Sequence, residues 1–370
     1  MERLDAVVVG GGPAASAFAI TLAAARRSVA VLDWSAGAAP GRGGDVLPPD
    51  VRPVLEDLGV WHRFRADGHL PSPGVLTVWG GDDLVPADHI WNPYGDAWHV
   101  DRDRLDGMLR SAAEAAGAAV HRALRVTRAT EGADGWEVEA HSRGGTMRFG
   151  ADYLVHATGR SSFPTQPPVP ARTAVDHLVG LVVTVEAVPG ADGLGPRLLV
   201  EATEHGWWYS APIPGRRLVV AYLTDPDLGR VVSGSLRDRW RHELGRTVHT
   251  RTRVPADAVP TPRVVAASSG CRRAAGDRWL AVGDAATGYD PLSGQGVVRA
   301  LQTGRAAAAA VIAAQAGRAL ALDDYADAVA DDFGRYLRLR QEYYGAERRW
   351  PASPFWARRH RAATPVTSPP

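Results

Sequence analysis

Asp5-Ala6-Val7-Val8-Val9-Gly10-Gly11-Gly12-Pro13-Ala14-Ala15 is the stretch that decides the fold of this 370-residue chain. Its apolar, β-branched run predicts a buried strand, its glycines a tight turn, and the alanine-rich segment 14–25 a helix. Gly10 permits the turn and Gly12 lets the backbone approach a phosphate, while the helix N-terminus offers free N–H groups and a favourable dipole. Ala15 stands at the third glycine of the usual pattern. The stretch therefore predicts a site for a dinucleotide pyrophosphate, with Pro13 and Ala14 opening the helix.

A second predicted strand, Val29-Ala30-Val31-Leu32, ends at Asp33. A carboxylate at this distance from the glycines can accept hydrogen bonds from the ribose hydroxyls of an adenosine. We include the next residue, Trp34, in the predicted site. The strand, the glycines, the helix, the second strand and the acid occur in the order that dinucleotide binding requires. The pattern does not distinguish NAD from FAD.

Composition excludes several classes of protein. A formal net charge of +1 indicates no strong attraction to nucleic acid or to a membrane surface. The 42 basic residues are all arginine, and the single Cys271 excludes an intramolecular disulfide and a cysteine-rich metal site. We find no metal-binding spacing and expect no metal. Because no signal peptide precedes the first strand and the apolar run 306–316 is too short to cross a bilayer, we expect a cytoplasmic protein.

The order of predicted elements indicates an α/β protein in which a β-rich unit interrupts a nucleotide-binding domain. Further predicted strands at 153–157 and 279–282 return to the first sheet, whereas alternation across 174–264 is typical of a mostly antiparallel sheet. We therefore predict a discontinuous nucleotide domain, an inserted substrate domain, a C-terminal helix and a disordered tail. The nucleotide domain comprises 1–70, 100–172 and 265–320, and the substrate domain comprises 71–99 and 173–264. The C-terminal helix spans 321–350, and the disordered tail spans 351–370.

Three widely spaced motifs resemble the glutathione-reductase-type FAD fold of flavin monooxygenases, flavin-dependent halogenases and geranylgeranyl reductases. They are the glycine motif at 10–15, Ala157-Thr158-Gly159-Arg160-Ser161-Ser162, and Gly283-Asp284-Ala285-Ala286 followed by Asp290-Pro291-Leu292-Ser293-Gly294-Gln295-Gly296. The resemblance covers roughly residues 1–345. It implies a Rossmann-like FAD domain with an inserted, mostly antiparallel sheet and C-terminal helices.

The resemblance also implies which residues contact FAD. Asp284 corresponds to a contact with the ribityl or pyrophosphate region. The loop from Pro291 to Gly296 corresponds to one that directs N–H groups at the isoalloxazine, where a helix N-terminus favours the negative charge that develops on reduction. Arg102 begins a helix that resembles a further FAD-contacting element. The remaining residues that the resemblance assigns to the cofactor are Arg42, Gly44, Asp45, Gly159, Gly283, Gly294 and Gln295.

The segment Gly206-Trp207-Trp208-Tyr209-Ser210-Ala211-Pro212-Ile213-Pro214 indicates the branch of the family. It resembles an aromatic strand of halogenases and prenyl reductases, with Tyr209 at the first aromatic position and Ala211 at the second. Halogenases of this family depend on a lysine, and this chain has none, while an arginine stays permanently charged and cannot replace it. We therefore expect a monooxygenase or a reductase.

The segments 206–223 and 290–296 most resemble maturation flavoproteins that hydroxylate tryptophan during the formation of quinone cofactors. The resemblance implies that O₂ and reduced FAD form a C4a-hydroperoxide, which hydroxylates an aromatic substrate, either a small molecule or a tryptophan-containing peptide. Electrons come from NAD(P)H or from a separate flavin reductase. Two alternatives remain open. One is a reductase of the geranylgeranyl type, and the other is a flavin-binding accessory protein whose arginine-rich tail docks an acidic partner.

Candidate substrate and catalytic residues follow from this resemblance and from side-chain chemistry. Aromatic faces stack flat substrates, so we assign Trp207, Trp208 and Tyr209, together with Pro291, to substrate binding. Alternation along a strand would send Trp208 to one face and its two neighbours to the other. For proton transfer we consider His99, His205 and Tyr209, because histidine titrates near neutrality.

Overall fold

The N-terminal strand, turn and helix form as predicted in a computed structural model, which describes residues 3–34, 44–187, 195–228, 235–258 and 260–361. Strand β1 spans Arg3–Val9, helix α1 spans Pro13–Ala24 and strand β2 spans Val29–Asp33. The two strands pair in parallel, and residues 6–9 and 29–33 are buried. Apolar residues on both faces of each strand fit a sheet that is covered on both sides.

These two strands lie inside an eight-stranded first sheet. Its other strands are β8 (Ala119–Arg122), β9 (Arg125–Gly132), β10 (Gly135–Ser142), β11 (Gly145–His156), β12 (Thr165–Gln166) and β20 (Trp279–Ala281). The order is β12-β9-β10-β11-β1-β2-β8, with β20 paired to β11. The strands around β1 run parallel, whereas β9 and β10 form an antiparallel hairpin. The sheet therefore combines the parallel strands typical of a dinucleotide fold with an antiparallel extension.

Helices cover one face of the first sheet. They are α1 together with α2 (Val51–Asp57), α3 (Trp61–Ala66), α4 (Arg102–Ala115) and α7 (Gly296–Gln315). Helix α7 is long and apolar enough to cross a membrane by length and composition, but it packs against α1 in the fold. A Cβ atom at Gly304 of α7 would lie 2.2 Å from the carbonyl oxygen of Ala14 in α1. This glycine is thus required for the close approach of the two helices.

A seven-stranded, mostly antiparallel second sheet forms the inserted unit. Its order is β18-β14-β17-β16-β15-β5-β6, and only β15 and β5 pair in parallel. The strands are β5 (Gly74–Val78), β6 (Val85–Asp88), β14 (Val179–Glu186), β15 (Leu198–Thr203), β16 (Gly206–Ile213), β17 (Arg217–Thr224) and β18 (Arg263–Ala266). Helix α5 (Leu236–Leu244) covers one face through the buried Trp240, and α6 (Thr250–Arg253) lies beside β16.

Two three-stranded sheets complete the strands of the described residues. One consists of β3 (Gly44–Leu47), β4 (Leu70–Ser72) and β7 (Ala97–Asp101), and the other of β13 (Thr173–Ala174), β19 (Gly270–Cys271) and β21 (Thr287–Gly288). The predicted fold class is therefore confirmed: a Rossmann-like parallel core, an inserted antiparallel sheet and C-terminal helices.

The predicted disorder of residues 351–370 is wrong for residues 351–361, and residues 362–370 lie outside the described residues. Helix α8 spans Ala321–Ala346 and is followed by α9 (Pro354–His360), in which Phe355 and Trp356 are fully buried. The buried Arg359 donates to Asp225 at 2.7 Å, and Arg358 pairs with the same carboxylate at 2.9 Å. These tail arginines thus bind within the chain, because aromatic burial and an internal counter-charge outweigh their polar composition.

Candidate functional site

One cavity of about 1800 Å³ is lined by residues from both large sheets. Ligand pockets in proteins commonly measure about 300–1,000 Å³, so this cavity has room for more than one ligand. The glycine turn after β1, the end of β2 and the start of α7 contribute one part of its wall. Strands β5, β15, β16 and β18 contribute another part. A nucleotide-binding region and a substrate region therefore share one space.

The glycine turn forms a phosphate cradle at the start of α1. Gly10 has a φ of 120°, and a Cβ atom there would lie 2.2 Å from the carbonyl oxygen of Ala157. A Cβ atom at Gly11 would lie 2.2 Å from Cγ of Asp33, whereas one at Gly12 would meet nothing within 4 Å. Close packing therefore requires glycine at 10 and 11. The space in front of Gly12 and the uncapped first turn of α1 fit a pyrophosphate.

Asp33 ends β2 in the cavity wall, as the sequence predicts. Arg110 of α4 lies 3.6 Å from its carboxylate and donates to the carbonyl oxygen of Gly11 at 3.2 Å. Arg110 thus joins the glycine turn to the acid that follows the second strand. Its role was not predicted from sequence, because nothing in its helical context distinguishes it from a surface arginine.

Arg160 and Asp284 connect two of the three motifs. Nε of Arg160 donates to Oδ2 of Asp284 at 2.9 Å, and the same guanidinium donates to the carbonyl oxygens of Tyr289, at 3.0 Å, and of Ser268. Both side chains line the cavity, together with Gly159 and Gly283. The sequence motif that contains Arg160 is recognisable, but it does not predict this role. Through Asp284 and Tyr289, Arg160 ties the segment 283–289 to the end of β11, and through Ser268 it ties in a third segment.

Arg102 also lies in the cavity wall, but two carboxylates hold it there. It donates to Asp45 at 2.6 Å and to Asp106 at 3.3 Å. Burial alone would lower the pKa of this guanidinium, and the carboxylates of Asp106 and Asp45 raise it above its ordinary value. Trp34 lines the cavity under the guanidinium of Arg125, 5.5 Å from the ring centre. The predicted Arg42 lies outside the described residues.

The loop before α7 presents backbone and small side chains to the cavity. Residues 291–293 form a single 3-10 turn, and Gly294 has a φ of 61°, which favours glycine. The buried Asp290 precedes the turn and accepts from the backbone N–H of Leu292 at 2.9 Å. Pro291, Gly294 and other residues of the loop line the cavity up to the first residue of α7. This arrangement directs a helix N-terminus at the cavity.

Strand β16 divides its aromatic residues between the two faces of the second sheet. Trp207 and Tyr209 line the cavity, whereas Trp208 faces away, stacks on Tyr222 at 4.7 Å and contacts Trp240. The assignment of Trp208 to substrate binding is therefore corrected, since successive side chains of a strand point to opposite faces. Burial raises the pKa of the Tyr209 phenol well above its ordinary value, so this group remains protonated.

The two predicted catalytic histidines do not line the cavity. His99 is fully buried in β7, where its Nε2 donates to the carbonyl oxygen of Pro196 at 2.6 Å. Burial lowers its pKa to about 4. His205 lies in the turn between β15 and β16, where its carbonyl oxygen accepts from the hydroxyls of Tyr222 and Thr224. Both catalytic assignments are therefore corrected: His99 is a buried structural residue, and His205 belongs to the turn between β15 and β16, outside the cavity wall.

Within the described ranges the cavity wall contains one histidine, His89, which sequence reasoning missed. It follows β6, and only its position after an edge strand could have indicated it. Among the residues that the structure describes, no group of three His, Cys, Asp or Glu side chains could hold a metal ion. The half-buried Cys271 has a pKa raised by burial.

The cavity brings together most of the predicted residues. Those in its wall are Gly10, Gly12, Pro13, Ala14, Asp33, Trp34, Asp45, Arg102, Gly159, Trp207, Tyr209, Gly283, Asp284, Pro291, Gly294 and Gly296. Ala15, Gly44 and Gln295 do not line the cavity. Ala15 is buried in α1, Gly44 begins β3 against Ile213, and Gln295 precedes α7.

Comparisons with known proteins agree with this geometry. The putative FAD-dependent oxidoreductase LodB of Marinomonas mediterranea is 29% identical over 97% of this chain and 98% of its own length. The solved structure of the myxobacterial chondrochloren halogenase CndH superposes with a TM-score of 0.87 at 21% identity, covering 97% of this chain and 86% of that one, which shows the shared fold. The peptidyl tryptophan dihydroxylase QhpG superposes with a TM-score of 0.78 at 25% identity over 97% of this chain and 79% of that one.

The family assignment rests on a match across nearly the whole described chain. The profile of the FAD binding domain family matches residues 3–331, which include the glycine cradle, the Arg160–Asp284 pair and the loop before α7. The open space at Gly12 and the uncapped start of α1 fit a pyrophosphate independently of that match. This chain is an FAD-dependent oxidoreductase of the FAD binding domain family.

Proposed function

We propose that this protein is a monooxygenase that hydroxylates an aromatic ring, and that the ring is an indole or tryptophan, free or within a peptide. One observation carries the proposal: Trp207 and Tyr209 present aromatic side chains to the same cavity that contains the FAD cradle. A flat substrate on this wall would lie in the space that the cofactor also reaches. Flat aromatic ligands favour such surfaces because ring stacking adds to the burial of apolar area.

The residues of the cradle bind and orient the cofactor. Gly12 and the first turn of α1 would hold the pyrophosphate, Asp33 the adenosine ribose and Asp284 the ribityl chain. When bound, FAD supplies the two-electron chemistry that activates O₂. The start of α7 favours negative charge at the end of the cavity where Pro291 and Gly294 lie.

The substrate wall is largely apolar and leaves few groups for proton transfer. Valine, leucine and alanine side chains of β5, β15 and β18 surround the two aromatic residues; they are Val75, Leu198, Val200, Val265 and Ala266. A protonated Tyr209 can donate a hydrogen bond but does not act as a base, since its pKa is raised. We propose His89 as the proton carrier, because it is the histidine of the described cavity wall.

Atoms and electrons balance for a hydroxylation. One oxygen atom of O₂ enters a C–H bond of the substrate ring, and the other leaves as water with two protons. The two electrons come from NAD(P)H or from a separate flavin reductase. We do not propose halogenation, because the halogenases that this chain resembles depend on a lysine and the chain contains none. The likeness to QhpG, a peptidyl tryptophan dihydroxylase, supports a tryptophan substrate within a peptide.

The test is incubation with FAD, a reducing system and ¹⁸O₂, followed by mass spectrometry of the substrate. Tryptophan, indole and a tryptophan-containing peptide are compared, each with and without chloride and bromide. The proposal predicts a product that carries one ¹⁸O atom and does not depend on halide. A halogenated product would contradict it, as would O₂-independent reduction of a prenyl or quinone substrate, which would place the protein among the reductases.

A further inference from the structure

Tyr344 of α8 joins two walls of the cavity through one buried hydroxyl. Nε1 of Trp207 donates to this hydroxyl at 3.0 Å, and the hydroxyl donates to Oδ2 of Asp290 at 2.7 Å. Trp207 belongs to the aromatic wall of the second sheet, and Asp290 begins the loop that leads to α7. All three side chains are almost fully buried. The hydroxyl therefore connects the indole directly to the carboxylate.

Asp290 is fixed from several directions besides Tyr344. Its backbone N–H donates to the hydroxyl of Tyr336 at 2.8 Å, so two tyrosines of α8 hold one residue. Nε of Arg340, from the same helix, lies 3.5 Å from the carboxylate. Arg340 also donates to Asp176 at 2.6 Å. The loop residue is thereby tied to α8 by its backbone and by its side chain.

Burial makes this connection specific. A buried polar group that loses its partner pays the full loss of its solvation, so neither the indole N–H nor the carboxylate can exchange Tyr344 for water at no cost. The ring of Tyr344 is held as well, by Arg359 at 5.4 Å and by Trp356 at 6.0 Å from its centre. These contacts restrict the ring, while its hydroxyl bonds to Trp207 on one wall and to Asp290 on the other.

We infer that Tyr344 is a positioning residue that couples the aromatic wall at Trp207 to the loop at Asp290, so that movement of either wall is transmitted to the other. The cofactor contacts the loop and the substrate contacts the wall in the proposed function, on which this inference rests. Reciprocity requires that a ligand acting on one wall alters affinity at the other. The sequence alone assigned no such role to Tyr344 or Asp290.

The test is a double-mutant cycle on the dissociation constant of FAD, measured by quenching of flavin fluorescence with full-length apoprotein. The variants are Trp207→Phe, Tyr344→Phe and the two combined. The matched control is Tyr325→Phe, because Tyr325 is also buried in α8 and its hydroxyl donates to the carbonyl oxygen of Ala281 at 2.8 Å, apart from Asp290. It is measured alone and with Trp207→Phe.

We expect each of Trp207→Phe and Tyr344→Phe to raise the dissociation constant about tenfold, and the combination to raise it about tenfold as well. The control should combine with Trp207→Phe multiplicatively. If the double variant of Trp207→Phe and Tyr344→Phe raised the dissociation constant of FAD about a hundredfold, the inference would be overturned. An unchanged dissociation constant for either single variant would also overturn it. The multiplicative result would mean that the two residues act independently.

Hydrogen exchange of apoprotein keeps the inference testable if Tyr344→Phe does not fold. Exchange of the amides in segment 290–294 should accelerate at least fivefold in Trp207→Phe, because release of the indole loosens the hydroxyl that holds Asp290. Unchanged exchange in that segment would contradict the coupling. This measurement needs neither FAD nor substrate, so failure of the proposed function and failure of the inference give different results.

Discussion

Nε of Arg160 donates to Oδ2 of Asp284 across 2.9 Å, although 124 residues separate them in the chain. Arg160 follows β11 of the first sheet, and Asp284 follows β20. The pair therefore sets how the late segment returns to the N-terminal nucleotide unit. The carboxylate of Asp284, oriented in this way, lies in the cavity wall.

Replacement of Arg160 by Gln should weaken both the fold and cofactor binding. Asp284 and the carbonyl oxygen of Tyr289 lose a charged donor, so we expect the free energy of unfolding to fall by about 2 kcal/mol. The dissociation constant of FAD should rise about tenfold. Urea denaturation and flavin fluorescence measure the two effects.

The matched control is Arg318→Gln, which removes an exposed pair with Asp324 at 2.6 Å. Exposed ion pairs contribute about 0–1 kcal/mol, so this variant should bind FAD normally. If both substitutions changed the free energy of unfolding and the dissociation constant of FAD equally, the bonds of Arg160 would contribute no more than an exposed ion pair.

Gly304→Ala should drive α1 and α7 apart. The added methyl group would lie 2.2 Å from the carbonyl oxygen of Ala14, which belongs to the first turn of α1 beside the phosphate cradle. Overpacking of this kind costs about 1–3 kcal/mol, and movement of the cradle should raise the dissociation constant of FAD. The control is Gly107→Ala in α4, where an added Cβ atom would meet nothing within 4 Å. This substitution should instead stabilise the protein by up to about 1 kcal/mol. Thermal unfolding with and without FAD distinguishes the two; a neutral Gly304→Ala contradicts the packing.

Trp208→Phe should cost stability without altering the cavity. Its ring packs between Tyr222 and Trp240 on the face of β16 that is turned away from the cavity, and its Nε1 has no partner in the described structure. Loss of ring area should be partly offset by removal of the unpaired donor, giving about 1 kcal/mol less stability. FAD affinity and product formation should stay within twofold of the parent. A large change in product yield would return Trp208 to the substrate site.

The buried His99 should make the fold sensitive to mild acid. Its pKa falls from an ordinary value of about 6.5 to about 4 in the fold, so below pH 6.5 the unfolded chain binds a proton that the folded chain does not. The stability that this group contributes is complete above that pH and is lost as the pH falls toward 4. Between pH 7 and pH 5 the loss should be about 2 kcal/mol.

His99→Gln removes the titrating group while keeping a donor for the carbonyl oxygen of Pro196. Urea denaturation at both pH values should show a smaller loss for this variant than for the parent. Equal losses in the two proteins would mean that His99 does not titrate in this range. His156, whose pKa burial lowers to about 3, acts in the same direction in both proteins.

Local pattern predicted much of the fold. The helix expected over 14–25 forms over Pro13–Ala24. Alternation along β16 correctly separated Trp208 from its neighbours, although the assignment of all three to the substrate did not follow it. Strand period and glycine turns are local properties, so one sequence is sufficient to recognise them.

Contacts between distant segments could not be predicted from the sequence. The side chain of Asp33 fills the space that a side chain at Gly11 would need, so Gly11, which no pattern singled out, must be glycine. His89, which follows the short strand β6, reaches the cavity, whereas His99, which lies within the short strand β7, does not. Helix α9 is held against the second sheet because Nε1 of Trp356 donates to the carbonyl oxygen of Thr203, 153 residues earlier. Each of these depends on packing rather than on neighbouring residues.

The most direct test of the central claim, that this flavoprotein is an aromatic monooxygenase, is the reaction of its reduced form with O₂. The FAD-loaded protein is reduced by light without oxygen, mixed with oxygenated buffer, and followed by absorbance with and without a tryptophan-containing peptide or indole. We expect a transient spectrum distinct from both reduced and oxidised flavin, which decays faster with the aromatic compound as hydroxylated product forms. A single-step return to oxidised flavin, with one hydrogen peroxide per flavin whatever compound is added, would contradict it.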